Sequence, residues 1–465
     1  METFSVTTPI YYVNAMPHVG NLYTTLAADI LARYYRIKLG PEHVFFTVGT
    51  DEHGQKVAES AVAAGLEPQA FADSMVPHFK DAWDLANIAY DAFVRTTDEG
   101  HITFVNEIFQ KISDAGYVYK GIYEGLYCMG CEKFITESEV VNGRCPLHPN
   151  KDLIHQKEEN YFFKLSTFVP ELLKRIEQGD YAILPASRKA EIVSRLQQGV
   201  DDISISRESV SWGIPLPWDQ SHTFYVWVEA LFNYYTVTRF IPGREKFWPI
   251  TVHLLGKDII WFHAVIWQAL LLAAGLDLPK IVFAHGFFTI DGQKISKSLG
   301  NVIAPGDLVA RYSADGTRYL LMSAYHFGND GDLALSKFDE TYNADLAHGL
   351  GNLVARTARL AEGQSGAKKP AAFSLNVAEH VENFCFAEAL EDVWSRISAA
   401  DKYLNKHEPW KNPSKKADIM PHVVKELAQI GYDLQPFLPE TSEKILEQFC
   451  SRKMQTVPSY FPRLS

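Results

Sequence analysis

Two lysines and two serines fall within five residues at Lys294-Ile295-Ser296-Lys297-Ser298, entered through Asp291-Gly292-Gln293 and left through Leu299-Gly300-Asn301. A short turn with that density of donors and positive charge suits an anion, above all a phosphate. Far upstream, Pro17-His18-Val19-Gly20-Asn21 follows the strand-like Phe4 to Thr8 and opens a helix beginning near Leu22. A helix start offers unpaired backbone N–H groups and partial positive charge, and a glycine there admits a phosphate without a Cβ in the way. A third group is Cys128-x2-Cys131, thirteen residues, then Cys145-x2-His148. Four soft or borderline ligands in two close pairs suit tetrahedral zinc, and with every place filled by protein the metal would be structural. Cys385 and Cys450 stand alone in helical contexts.

These groups need a frame to bring them together. From Phe4 to about Gly116, strand-like runs (Phe4 to Thr8, His43 to Gly49) alternate with helical ones (Leu22 to Leu39, Gln55 to Ala64), the rhythm of a parallel α/β sheet. Residues 117–220 break into Tyr- and Gly-rich short segments around the cysteines and then charged helices such as Phe168 to Gln178, which reads as an insertion. The rhythm resumes over 221–290 with His222 to Val228, Thr251 to Leu255 and Ile281 to Ala284, and a helix over Ile260 to Ala274. A connecting region, 291–340, holds the lysine turn. Over 341–465 strand signals vanish, and apolar residues recur at helical spacing through Leu346, Leu350, Leu353 and Val354 and through Val423, Leu427, Ile430 and Leu434. The fold class expected is α/β, a Rossmann-type parallel sheet split by a zinc-bearing insertion and followed by an α-helical bundle.

At 465 residues, two to four structural units are expected. The longest apolar run, around Ala269 to Ala274, is too short to cross a bilayer, and Met1-Glu2-Thr3 lacks a secretion signal's basic start and apolar core, which predicts a cytoplasmic protein with no membrane partner. The net charge of -12 argues against nonspecific nucleic-acid binding while leaving room for a local basic face.

Together, the helix entrance at His18 and the lysine turn resemble the paired HIGH and KMSKS signatures of class I aminoacyl-tRNA synthetases, with Asn21 where the class usually has histidine. The residues between resemble the methionyl-tRNA synthetase family throughout. That resemblance implies activation of L-methionine with ATP and Mg2+ to methionyl-adenylate, then transfer to the 3′-terminal adenosine of tRNA(Met), including its initiator form, as translation requires. It implies that His18, Asn21, Lys294 and Lys297 are catalytic, and that His18, Gly20, Asn21, Gly256, Asp258, Lys294 and Lys297 hold ATP. It places methionine among Ile10, Tyr12, Asp51, Trp227, Ala230, Leu231, Tyr234 and His285, with Asp51 on the ammonium group and the Tyr234 hydroxyl near the thioether sulfur. On residue type alone, Trp227 and Tyr234 would be core aromatics. One structural Zn2+ is implied on Cys128, Cys131, Cys145 and His148, and anticodon reading by Asn352, Arg356 and Trp410 in the helical region. The stop soon after Phe461 implies that no further C-terminal module follows, which favours a monomer. Two other readings stay open: a synthetase for leucine, isoleucine or cysteine, and a zinc-stabilised tRNA-binding protein without catalysis.

Overall fold

The computed structural model describes residues 2–130, 133–135, 140–146, 149–294, 302–411 and 413–464. At its centre is a seven-stranded sheet in which every pairing is parallel. Its lateral order is Ala92–Arg95, Val44–Asp51, Phe4–Thr7 (with the short Tyr11–Tyr12 beyond it), Val252–Gly256, Ile281–His285 and Ala182–Leu184. Side chains alternate across such a strand. Val252 and Leu254 therefore enter one apolar core, while Leu255 enters another on the opposite face. The opening helix, Val19–Leu39, covers the first face so completely that 13 of its 21 residues are buried.

Two expectations for the sheet need correction. Residues 117–220 are not wholly an insertion, because Ala182–Leu184 within that span pairs in parallel with Ile281–Phe283. A three-residue strand is too short to leave a period in the sequence. Nor does His222 to Val228 join the central sheet. The strand Asp219–Phe224 belongs to a small antiparallel sheet with Ser206–Arg207 and Pro215–Leu216, and Val226–Glu229 is already helical. The β-branched Val226 and Val228 imitate a strand there, while the apolar positions that follow recur at helical spacing.

The rest of 117–220 includes a long antiparallel pair, Val118–Cys128 with Ile154–Phe163, flanked by Lys133–Ile135 and Ile203–Ser204. From Phe338 onward every element among the described residues is helical. No helix among the described residues is long and apolar enough to cross a membrane.

Sheet and bundle meet at a buried ion pair. Arg318, on the helix Pro305–Ser323, donates from Nη2 to Asp29 Oδ2 at 2.7 Å and to the Pro436 carbonyl at 2.9 Å, and from Nε to the Phe437 carbonyl at 2.7 Å. Its Nη1 reaches the Ala86 carbonyl at 3.2 Å. Asp29 also takes Arg33 Nε at 2.7 Å and the Ala89 N–H at 2.8 Å. Burial pushes the Asp29 carboxyl up, but the facing Arg318 and Arg33 outweigh it and hold it below its ordinary range. Removing one partner of a buried pair strands the other charge. Asp29→Asn is therefore expected to lower the unfolding free energy by about 3–5 kcal/mol, measured by urea denaturation.

Candidate active site

The carboxyl ends of the central strands open into a cleft of ≈ 780 Å³. This is where open α/β sheets bind ligands, at the point where crossovers leave in opposite directions. Here that point falls between Phe4–Thr7 and its neighbour Val252–Gly256, with Val44–Asp51 on one side and Ile281–His285 on the other. Pro9 and Ile10, Asp51, Gly256 and Asp258, and His285 to Thr289 line the cleft from those four strand ends. His18, Gly20, Asn21 and Thr24 enter from the opening helix, and Trp227, Ala230, Leu231, Asn233 and Tyr234 form the facing wall.

The helix entrance is closed by a reciprocal cap. His18 Nδ1 accepts the Gly20 N–H at 3.0 Å, and Asn21 Oδ1 accepts the His18 N–H at 3.0 Å. Asparagine at position 21 thus spends its carbonyl on the cap, and His18, accepting at Nδ1, carries its ring proton on Nε2. Gly20 is required for this geometry, since a Cβ there would stand 2.8 Å from His18 Cε1.

Three imidazoles around the cleft are held neutral by burial, and their hydrogen bonds fix which ring nitrogen carries the proton. His285 Nδ1–H donates to the Gly286 carbonyl at 2.8 Å while Nε2 accepts from Thr24 Oγ1 at 2.7 Å. His263 Nδ1–H donates to the Ile259 carbonyl at 3.0 Å while Nε2 accepts from the Tyr234 hydroxyl at 2.8 Å. His253, just behind, accepts at Nε2 from Trp267 Nε1–H at 3.2 Å and donates from Nδ1 to Thr7 Oγ1 at 2.7 Å. Burial lowers all three pKa values, to about 4 for His263 and His285 and well below 6.5 for His253. Burial also raises the Tyr234 phenol. With its proton given to His263, the Tyr234 oxygen offers lone pairs to any other neighbour.

Every described residue expected to hold ATP or methionine lines this one cleft: His18, Gly20, Asn21, Gly256, Asp258, Ile10, Tyr12, Asp51, Trp227, Ala230, Leu231, Tyr234 and His285. Lys297 lies outside the described residues, as does the side chain of Lys294, whose backbone ends the strand Gln293–Lys294 paired with Phe288–Ile290. Thr24 and Asn233 line the cleft although the sequence reading assigned them no role there. Spacing held a signal for Thr24, which follows Asn21 by three residues on one helix.

The other expected sites lie elsewhere. Cys128 and Cys145 are buried together in a small cluster with Val140 and Leu153 packed against it, whereas Cys131 and His148 lie outside the described residues. In the bundle, the Arg356 guanidinium sits 4.4 Å above the centre of the Trp410 ring, one helical turn from the exposed Asn352. Arg356 is already paired, donating to Asp401 Oδ1 at 3.0 Å and Asn405 Oδ1 at 2.7 Å.

Comparison with known proteins agrees with this geometry. The family model for class I tRNA synthetases (M) matches residues 4–154 and 148–358. A methionine–tRNA ligase of Thermosynechococcus vestitus is 41% identical, the alignment covering 96% of this chain and 89% of that protein. One from Clostridium tetani is 42% identical, over 96% and 74%. Among solved structures, Mycobacterium tuberculosis methionyl-tRNA synthetase in complex with methionyl-adenylate superposes with a TM-score of 0.89 at 33% identity, covering 100% of this chain and 99% of that one.

The neutral imidazoles give a pH dependence of known sign. Unfolded, each takes up a proton below its ordinary 6.5, whereas folded His263 and His285 refuse one until about pH 4. Their stabilising contribution is thus complete above pH 6.5 and lost as pH falls toward 4. It is worth roughly 3 kcal/mol per ring. Urea midpoints should drop steadily across that window, and replacing His263 with Gln should flatten the slope.

Proposed function

This chain belongs to the methionyl family of class I tRNA synthetases, and from that premise we propose how the residues of its cleft divide the work of a methionine–tRNA ligase. The reaction runs in two steps. The methionine carboxylate attacks the α-phosphorus of ATP, forming methionyl-adenylate as pyrophosphate leaves. A hydroxyl of the tRNA 3′-terminal adenosine, initiator tRNA included, then attacks the methionyl carbonyl and AMP departs. The observation that carries this reading is that one cleft gathers the His18 helix entrance, Asp51 and the Trp227 to Tyr234 wall.

The ATP phosphates lie against the helix entrance, where Gly20 leaves space and backbone N–H groups meet anionic oxygens. His18, with its proton on Nε2, donates to the α-phosphate as negative charge builds. Lys294 and Lys297 neutralise the departing pyrophosphate, and Mg2+ arrives with the nucleotide. Asn21 acts through the cap, holding the His18 backbone, and contributes no charge. Gly256 and Asp258 take the nucleoside end. These are interactions of position and charge, with no covalent enzyme intermediate.

Methionine lies across the cleft with its ammonium on Asp51 and its side chain among Ile10, Tyr12, Trp227, Ala230, Leu231 and Tyr234. The slot is apolar and partly aromatic, which suits a polarisable thioether. His285 bounds it through its bond to Thr24. Because the Tyr234 proton is directed at His263, the sulfur meets the phenol oxygen and ring rather than a hydroxyl donor.

Cys128 and Cys145, two thiols buried side by side, fit half of a tetrahedral zinc site, with Cys131 and His148 completing it. Zinc there would cross-link the turn structurally, remote from the chemistry. In the bundle, Trp410 offers a stacking face for an unpaired anticodon base, with Asn352 and Arg356 beside it for base edges. Asp401 and Asn405 hold Arg356 in place for that contact. A monomer working in the cytoplasm completes the reading.

Methionine-dependent ATP–pyrophosphate exchange tests the assignment, with zinc measured in the same preparation. Exchange with leucine, isoleucine or cysteine but not methionine would overturn it. His18→Ala should lower kcat by roughly 10²–10³-fold with little change in substrate KM, as expected for a donor acting in the transition state. Trp410→Ala should leave exchange intact and reduce kcat/KM for tRNA charging, by about tenfold for the loss of one stacked base at 1–3 kcal/mol.

A further inference from the structure

The helical run that presents Trp227, Ala230, Leu231 and Tyr234 to the cleft has a second, polar stripe on its rear. Glu229 is fully buried and does not line the cleft. Its Oε1 accepts from His53 Nδ1 at 2.8 Å and its Oε2 accepts from His101 Nε2 at 3.0 Å. His101 Nδ1 in turn meets Thr236 Oγ1 at 3.0 Å, seven residues along the same run. His53 stands two residues beyond Asp51, and His101 belongs to the helix Glu99–Asp114. Glu52, between Asp51 and His53, is itself fixed by the two-pronged grip of Arg95, at 2.8 Å to each oxygen.

A buried carboxylate is a poor source of stability, since apolar side chains of the same volume often serve as well. What it supplies is direction. Two hydrogen bonds from two different elements fix both the rotation of the run and its distance from the strand end that carries Asp51. We propose that Glu229, with His53 and His101, is a positioning group that sets the separation between Asp51 and the Trp227 to Tyr234 wall, and through it the fit of the amino acid. The inference rests on the assignment of that space to methionine. Glu229 touches no substrate; it acts through Asp51 on one side and Trp227 and Ala230 on the other.

The test uses the full-length enzyme in ATP–pyrophosphate exchange, with KM measured separately for methionine and ATP. His53→Phe, which fills the space without a donor, should raise the methionine KM roughly tenfold while the ATP KM stays within about twofold. His53→Asn places an amide N–H where Nδ1 stood and should restore most of the loss. Glu229→Gln, which cannot accept from both histidines, should behave like His53→Phe. An unchanged methionine KM in His53→Phe and Glu229→Gln overturns the proposal. So does a parallel rise in both KM values that His53→Asn fails to relieve, the mark of a merely structural role. A wild-type enzyme that exchanges with another amino acid instead of methionine overturns the underlying assignment, whereas a methionine-dependent wild type with insensitive variants overturns this inference alone.

Discussion

The contact between Asp29 and Arg318 decides how the two halves of the molecule face each other. Asp29 lies about three turns along the helix that His18 caps, so whatever fixes Asp29 fixes the entrance to the cleft. Arg318 spends its guanidinium on one carboxylate and several backbone carbonyls drawn from the catalytic half and from the turn before the last helix. A guanidinium is planar and forked, so these partners are held at angles as well as distances. The helix start proposed to receive a phosphate is thereby referenced to the bundle proposed to receive an anticodon.

Within the cleft, the electrostatic pattern is one of restraint. The buried His253, His263 and His285 are neutral, each committed to a carbonyl or hydroxyl, so positive charge is kept away from the apolar slot. The remaining polarity is localised: a carboxylate at Asp51, backbone donors at the His18 helix entrance and a second carboxylate at Asp258. An amino acid with an uncharged, flexible side chain matches that distribution, because nothing in the wall demands a partner of opposite charge. The rear hydrogen bonds of Glu229 serve the same end from the dry side.

Much of this was legible in the residues, for reasons that differ by element. The His18 to Asn21 entrance could be read because a strand followed by a glycine-bearing helix start is a local pattern, and the structure describes it as a reciprocal cap. The bundle could be read because helical spacing persists over long stretches. The strand Ala182–Leu184 could not, being three residues whose only justification is a partner nearly a hundred positions away. The run at Val226 was misread because β-branched residues carry strand preference that tertiary packing overrode. Thr24 was passed over since nothing in a sequence says which imidazole a hydroxyl will meet. The environment of Glu229 was equally invisible, as its two partners are separated from it by 176 and 128 positions.

One apolar core runs without a break from Phe4 and Val6 in the central sheet through Leu320 and Leu350 to Phe449 and Phe461 near the chain's end. Catalytic half and helical half therefore share this interior. A gene shortened to the nucleotide-handling portion would encode a polypeptide with a greasy open flank, prone to clumping before it could work. Selection acting on such a chain can reshape the RNA-facing surface freely, but it cannot discard the helices beneath.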